Sequence, residues 1–183
     1  MQQSWNQVLI NASVVGAGPV STTTETSLLP PAAKFTILNN FFTVGSVLRI
    51  TLTSQVSNVV TTPGTLNLKV KFGANIAFDG GAQAMSTTAH TTLPHWWDVL
   101  LTCRTIGTAA NFIGQGKSHG QMCLRSGADL STDGTEMTPN TAPAVSANWD
   151  STAIQVVDIT ATTSVATAGT NMTAQQYVLE SLN

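Results

Sequence analysis

Three histidines, His90, His95 and His119, are the side chains of this chain best suited to acid–base or metal chemistry. A zinc site or a general base would need partner side chains placed around one of them. Asp98 comes three residues after His95, which puts the two on opposite faces of a strand. The residues therefore predict no catalytic or metal-binding histidine, and we expect all three to lie at the surface or at the rim of the core.

The stretch Gly116-Lys117-Ser118 resembles the end of a phosphate-binding loop. That motif needs a glycine five residues before Gly116, where Asn111 stands, and a helix whose N-terminus faces the phosphates. The residues that follow Ser118 are typical of a strand. We therefore expect no nucleotide site here.

The stretch from Asp129 to Gly134, with the sequence Asp-Leu-Ser-Thr-Asp-Gly, resembles the first half of a calcium loop. The twelfth position, which should be a bidentate Glu, is Asn140, and no flanking helix is predicted. The pattern indicates a solvated turn, with a weak cation site in an assembled particle as the alternative. We predict no catalytic residue, no metal ligand and no cofactor, and hence a protein that is not an enzyme.

Tryptophans are the candidates for binding. Neighbouring strand residues face opposite ways, so one of Trp96 and Trp97 enters the core and the other lies outside. An outward indole can stack on a sugar ring or on a partner chain, unless a loop covers it. Trp5 and Trp149 are isolated in polar contexts and are similar candidate anchors. The predicted partner contacts are therefore Trp5, Trp96 and Trp149.

Strands must position these side chains, and alternating apolar and polar residues predict them, most clearly over residues 48–53 and 65–72. One dry face and one wet face are typical of an antiparallel sheet. About eight to ten such strands, with no long helical periodicity, predict an all-β, antiparallel two-sheet jelly-roll or Greek-key β-sandwich. A plain immunoglobulin-like topology is the alternative, which the missing Cys–Trp–Cys arrangement disfavours.

The 183 residues are predicted to form one jelly-roll-like domain, residues 1–183, since this length can bury a sizeable core. We expect an N-terminal contact segment at about residues 1–18 and a long irregular loop at about residues 126–148. Residues 45–60 and 65–72 are predicted to pair as a hairpin through the turn Thr61-Thr62-Pro63-Gly64.

The amino-acid composition argues against several classes of function. Charged residues are only 9% of the chain and threonine occurs 29 times, so the surface is polar but carries few charges. Seven scattered Lys and Arg form no basic patch, which argues against nucleic-acid binding. No apolar run is long enough for a membrane span, and the start lacks the features of a secretion signal, so we expect folding in a cytoplasm. Little charge repulsion opposes self-association, and Cys103 and Cys123 are expected to be reduced and packed.

Several stretches resemble a family of small tailed-phage virion proteins. They are Asn40–Gly45, Gln55–Leu66, Trp96–Ile106, Ala110–Phe112, Asp150–Ala153 and Gln176–Asn183. The resemblance implies a trimeric jelly-roll domain used as a capsid decoration (cement) protein or at a fibre base, with no catalytic residues to carry over. Residues 126–148 depart most from the family.

The expected function is therefore that of a non-enzymatic phage virion structural protein, a decoration protein that binds the capsid exterior and stabilises the head. Its expected partners are further copies of itself, as a homotrimer, and the major capsid protein, with no nucleic acid or membrane. It would reside in the virion, assembled in the host cytoplasm. The alternative is a receptor- or glycan-binding module of a head or tail fibre. A shell protein of a non-tailed virus is disfavoured, since no Lys or Arg precedes Lys34.

Overall fold

The computed structural model describes residues 6–13, 15–16, 18–59, 63–120 and 134–182. The strands in these ranges are β1 (Asn6–Ser13), β2 (Thr26–Ser27), β3 (Phe35–Ile37), β4 (Val47–Asn58), β5 (Thr65–Phe72), β6 (Asn75–Ala84), β7 (His90–Thr105), β8 (Asn111–Gly120), β9 (Gly134–Thr138), β10 (Ala144–Val145), β11 (Gln155–Thr163) and β12 (Asn171–Leu182). A short 3-10 turn, Pro31–Ala33, is the one helical element in the described ranges.

The strands form two antiparallel sheets, which we call the front sheet and the back sheet. The front sheet has seven strands in the order β1-β12-β4-β7-β8-β10, with β9 pairing further along β8. The back sheet has five strands in the order β2-β11-β5-β6, with β3 also pairing β11. The four strands β1-β12-β4-β7 against β2-β11-β5-β6 are the strand order of a jelly roll. The predicted all-β sandwich is confirmed, with twelve strands in the described residues rather than eight to ten.

Alternating burial follows the alternating sequence and places the core between the sheets. Every second residue of β5 is buried, and the same period holds through most of β4 and β7. At one end of the core, four aromatic rings pack together: Phe42, Phe72, Phe112 and Trp149. Aromatic burial on this scale supplies much of the apolar area removed from water.

The predicted hairpin between residues 45–60 and 65–72 is wrong. Strand β4 pairs with β12 and β7 in the front sheet, whereas β5 pairs with β11 and β6 in the back sheet. The connection between them therefore crosses from one sheet to the other. Alternation reports which face of a strand is buried but says nothing about which strand lies beside it.

Strand β6 continues through Asp79-Gly80-Gly81, a sequence that is typical of a turn. These residues form a bulge, seen as a register shift between Asn67 and Lys69 of β5. Gly81 has a φ of 73°, and its N–H donates to Asp79 Oδ1 at 2.9 Å. A glycine that bends a strand therefore has the same local signature as one that ends it.

Two predicted segments are more regular than expected. Within the segment 126–148, residues Gly134–Thr138 and Ala144–Val145 are strands that pair with β8. Within the segment 1–18, residues Asn6–Ser13 are an edge strand that pairs with β12. Residues 1–5, 14, 17, 60–62, 121–133 and 183 lie outside the described residues. The contact roles of both segments stay predictions.

Charges on the outer side of the back sheet are paired. Lys34 Nζ lies 2.6 Å from Asp158 Oδ2, and Ser27 donates to the other oxygen of that carboxylate at 2.7 Å. Lys69 and Lys71 both reach Glu25, at 3.3 and 2.9 Å. The hydrogen bonds and proximity of these lysines hold the pKa of Glu25 below its usual value, with Lys71 as the largest cause. We therefore expect polar side chains that are free to bind a ligand on the front sheet rather than on the back sheet.

Candidate binding face

The outer side of the front sheet, which we call the front face, is built from side chains aligned across neighbouring strands. Trp96 of β7 lies opposite Thr53 of β4 on one side and His119 of β8 on the other. His119 in turn lies opposite Thr135 of β9. Directly opposed residues of antiparallel strands point to the same side of the sheet, so these four side chains form one row.

The two adjacent tryptophans divide as the period of a strand requires. Trp96 is 47% exposed on the front face, and Trp97 is fully buried in the core. The Trp97 indole N–H donates to Thr138 Oγ1 at 3.1 Å, so this buried donor has a hydrogen-bond partner. The expected outward indole is thus Trp96, and its contact with a partner stays a prediction.

Trp149 is not a surface anchor, which corrects the prediction from its polar sequence context. It is only 2% exposed, and its ring stacks on Phe112 with the centroids 5.1 Å apart and an interplanar angle of 12°. Two backbone hydrogen bonds of 2.9 Å join it to Ala110. The residues next to Trp149 in the chain are polar, but the aromatic rings around it come from distant strands. Trp5 lies outside the described residues.

A depression of about 480 Å³, which we call the tryptophan groove, opens beside Trp96. The residues that line it include Thr53, Gln55, Thr92, Trp96, His119 and Gln175. Gln175 lies at a register shift of β12 between Ala174 and Gln176, and such a bulge redirects a side chain. Thr92 has a φ of 53°, which is rare for a β-branched residue, and its N–H donates to Ser57 Oγ at 2.9 Å. The groove is thus an aromatic ring set among neutral polar side chains.

A second depression, of about 340 Å³, adjoins the other side of Trp96 and is lined by Trp96, Lys117, His119 and Thr135. We call it the lysine depression. Lys117 is exposed and makes no salt bridge with any carboxylate of the described residues, unlike Lys34, Arg49, Lys69 and Lys71. His119 Nδ1 is hydrogen-bonded to Thr135 Oγ1 at 2.7 Å, which orients the imidazole. This depression therefore offers a positive charge and polar hydrogen-bonding groups.

Arg49 and Asp98 form a bidentate ion pair in the middle of the front face. The guanidinium donates to the two carboxylate oxygens at 3.0 and 2.9 Å. The hydrogen bonds and the charge of Asp98 raise the pKa of Arg49 above its usual value. Lys117 lies opposite Asp98 across β7 and β8, but both oxygens of that carboxylate are already bonded to Arg49.

Beyond this ion pair lies an apolar patch of three side chains, each about half exposed. Leu100 is 48% exposed, Met137 52% and Val145 53%. Leu100 and Met137 line a depression of about 300 Å³ together with Asp98, Gln115 and Lys117, and Val145 lies opposite Ile113 of β8. The front face therefore has a polar region around Trp96 and an apolar patch that borders the charged side chains of Asp98 and Lys117.

The expectation of a surface or rim histidine is wrong for His95, which is 4% exposed. Its ring nitrogens are hydrogen-bonded to Ser54 Oγ at 2.8 Å and to Ser118 Oγ at 2.6 Å. Burial, and secondarily the positive charge that His119 can carry, lowers the pKa of His95 to about 4. No carboxylate of the described residues bonds to this imidazole, so the arrangement is not a Ser–His–Asp triad.

The remaining sequence motifs sit in strands or outside the described residues. Gly116-Lys117-Ser118 lies within β8 rather than at a strand-to-helix turn. Residues 129–133 of the calcium-like motif, and Cys123, are outside the described residues. Cys103 is buried in β7 opposite Phe112, and burial raises the pKa of its thiol.

The described residues contain no cluster of three or more His, Cys, Asp or Glu that could hold a metal ion. No helix in the same ranges has the length and apolar character needed to cross a membrane.

Sequence reasoning found Trp96 but missed the residues that surround it. Lys117 is visible only as a scattered lysine, and its place beside Trp96 depends on the register of β7 with β8. Gln175 belongs to the groove because of a bulge that no residue pattern marks. The useful signal was the Trp-Trp pair, since it alone guarantees one outward indole.

The chain has only weak similarity to known proteins. No protein-family model matches the chain, and no curated protein matches it. Among solved structures, the chain is similar to the CBM2 module of the evolved Dit of Lactobacillus casei BL23 phage J-1. The identity is 9%, the alignment covers 100% of this chain and 98% of that one, and the TM-score is 0.44. At this identity and score the similarity carries no argument about ligand, partner or location.

Proposed function

We propose that this chain is a non-enzymatic phage virion structural protein, a capsid decoration (cement) protein that binds the capsid exterior and stabilises the head. The observation that carries the proposal is the apolar patch of Leu100, Met137 and Val145 on the front face. Clustered exposed apolar side chains mark contact sites for other proteins. The sequence resemblance to small tailed-phage virion proteins supports the class of partner, namely the major capsid protein and further copies of this chain as a homotrimer.

The chemistry of the front face favours such a contact. Burying an aliphatic side chain of this size contributes about 1.5–3 kcal/mol. The charges of Arg49 and Asp98 already compensate each other, so covering this ion pair desolvates no unpaired charge. A modest contact repeated around a symmetry axis gains strength through avidity. The front face therefore suits attachment in many copies.

The test uses heads of the phage that encodes this chain, purified after deletion of its gene. Purified protein added back should co-sediment with these heads and raise the temperature at which they release DNA. The double change Leu100→Gln and Met137→Gln should weaken binding by at least about tenfold, because it removes apolar area from the contact.

The matched control is Val156→Gln, which makes the same kind of change at a residue that is 39% exposed on the back sheet. Binding of this control should equal that of the wild type. Heads that do not bind the wild-type protein, or that bind the double variant as tightly, contradict the proposal.

A second candidate function, a receptor- or glycan-binding module of a head or tail fibre, is favoured by Trp96. Its indole is exposed beside the neutral amides of Gln55 and Gln175, a combination suited to a sugar ring and its hydroxyls. Particles that carry Trp96→Ala should remain intact but attach poorly to host cells. Unchanged attachment would exclude this second function.

A further inference from the structure

We infer that the tryptophan groove and the lysine depression together bind an acidic saccharide, a pyranose ring that carries a carboxylate. The inference rests on the second candidate function and names its ligand class. The sugar ring stacks on the exposed face of Trp96, and its carboxylate is held by Lys117. Three features of the front face carry this assignment: the indole, the neutral polar groups and the unpaired cation.

The Trp96 indole is a platform carried on a backbone that both neighbouring strands hold in place. Its strand, β7, is paired on both sides at this position, with Thr53 of β4 and His119 of β8. The next residue, Trp97, is locked in the core by burial and by its hydrogen bond to Thr138. A rigid aromatic ring offers contact area at a low cost in conformational entropy, and its flat face matches the C–H face of a pyranose.

Neutral hydrogen-bonding groups surround this platform on the groove side. Gln55 and Gln175 each offer an amide donor and acceptor, and Thr53 offers a hydroxyl. Sugar hydroxyls need both donors and acceptors, which amides supply without imposing a charge. This composition distinguishes the groove from the apolar patch of the front face.

Lys117 gives the second depression its charge preference. It makes no salt bridge within the described residues, and the carboxylate opposite it, that of Asp98, is already held by Arg49. The described residues that line the two depressions include no carboxylate. A ligand carboxylate would therefore meet an unpaired ammonium group, an arrangement that gives a strong charge-assisted hydrogen bond.

The two depressions adjoin, because Trp96 and His119 line both of them. Their volumes, about 480 and 340 Å³, are within the usual range for small-molecule sites. The ring of His119 is oriented by its Nδ1 hydrogen bond to Thr135. The arrangement has room for a neutral sugar unit on the glutamine side and an acidic unit on the lysine side.

The experiment measures binding of two matched probes by isothermal titration calorimetry. One probe is the trisaccharide of galacturonic acid, and the other is the same trisaccharide with its carboxylates reduced to alcohols. The wild-type protein should bind the acidic trisaccharide about tenfold more tightly than the reduced one. Lys117→Gln should remove this preference and leave binding of the reduced probe unchanged. Trp96→Ala should weaken binding of both probes at least about tenfold.

The matched control is Arg104→Gln, which removes a positive charge near the other end of β7. It should change the affinity for either probe less than about twofold, which separates a local role of Lys117 from a general effect of net charge. Urea unfolding of every variant checks that the fold is retained, and Trp96→Phe, which keeps an aromatic ring, should bind better than Trp96→Ala.

Several results would overturn the inference: no binding of the acidic trisaccharide to the wild type, equal affinity for both probes, or an unchanged preference in Lys117→Gln. Head co-sedimentation with the same variants separates this failure from failure of the decoration function. Wild-type protein that binds heads but neither trisaccharide overturns only the saccharide site. Protein that binds the acidic trisaccharide but no heads overturns only decoration.

Discussion

Trp96 and Trp97 are adjacent in the chain, but they contribute differently to stability because only Trp97 is buried. Trp97 is fully buried and hydrogen-bonded to Thr138, so its indole belongs to the core. Trp96 is about half exposed, and its indole removes little area from water until a partner covers it. The difference can be measured directly as stability.

We expect Trp97→Ala to lower the free energy of unfolding by about 3–5 kcal/mol, because it leaves a large cavity and an unpaired Thr138 hydroxyl. Trp96→Ala should lower it by less than about 1 kcal/mol. Urea denaturation followed by circular dichroism measures both. Equal costs for the two variants would mean that the assignment of inward and outward faces is wrong.

His95 makes stability depend on pH. Its pKa is lowered from 6.5 to about 4, chiefly by burial. Below pH 6.5 the unfolded chain therefore binds a proton that the folded protein does not bind until the pH reaches about 4. The free energy of unfolding should fall across this window as the pH drops, by up to about 3 kcal/mol. The groups facing the ring are Ser54, Ser118 and His119.

The variant His95→Gln tests this dependence. It should be less stable than the wild type at neutral pH, because Ser54 and Ser118 lose their buried partner. The stability difference should shrink as the pH falls toward 4, since the wild type alone loses the histidine contribution. Gln55→Ala, at an exposed position of the front face, changes no ionisable group; it is the control and should show a constant difference from the wild type. A constant difference for His95→Gln as well would refute the assigned cause.

At this scale the sequence supported the prediction of Trp96 but misled on Trp149 and His95. Trp149 is an amphipathic residue with polar neighbours in the chain, and histidine is itself a polar residue type, both of which favour exposure. The structure buries them because partners from distant strands, Phe112 for Trp149 and Ser54 with Ser118 for His95, meet their rings. Such partners depend on tertiary register, which a single sequence does not reveal.

Strand β8 contributes mostly small residues to the core. Its inward positions after Phe112 are Gly114, Gly116, Ser118 and Gly120, all small and all buried. A Cβ atom built on Gly114 would lie 2.7 Å from Phe78 Cδ2 and 2.6 Å from Leu101 Cδ2. Large side chains from neighbouring strands therefore occupy the space that β8 leaves open.

The change Gly116→Val should lower the free energy of unfolding by about 1–3 kcal/mol or more, as overpacking of a core does. Its Cβ would lie 2.8 Å from the Asp98 carbonyl oxygen, and a backbone atom cannot move aside cheaply. Thermal unfolding followed by circular dichroism would measure the loss. Lys117→Val is the matched control on the outward side of β8 and should change stability by less than about 0.5 kcal/mol.

If Gly116→Val proved as stable as the control, β8 would not be packed as closely as described. A glycine inside a strand marks either a bend or a close approach of another group, and the contacts of Gly116 assign it to close approach. The period of two predicted where most strands lie. It could not predict the crossing from β4 to β5 or the short strands β9 and β10, because those depend on pairing rather than on pattern.

The whole molecule presents two unlike outer surfaces. On the back sheet, nearby carboxylates form ion pairs with Lys34, Lys69 and Lys71. On the front sheet, the apolar patch and Trp96 are left open among the described residues. With only 9% charged residues, little repulsion keeps copies of the chain apart.

We therefore expect purified protein to form a homo-oligomer, a trimer, at micromolar concentration. Size-exclusion chromatography with light scattering gives the mass directly. A strict monomer at that concentration would count against the decoration function, which relies on contacts repeated between copies. Leu100→Gln with Met137→Gln provides the comparison that shows whether the apolar patch forms the contact.

The pairing of β7 with β4 and β8 at Trp96 affects how a partner would bind there. The backbone on either side of this residue is clamped by hydrogen bonds to two strands, and the following side chain is anchored in the interior by Thr138. An incoming molecule thus meets a surface already shaped before it arrives, and docking should proceed as a rigid-body event with little rearrangement. Every copy in a lattice would then offer the same template, so recognition would vary between related chains through exchanged side chains rather than through altered backbone.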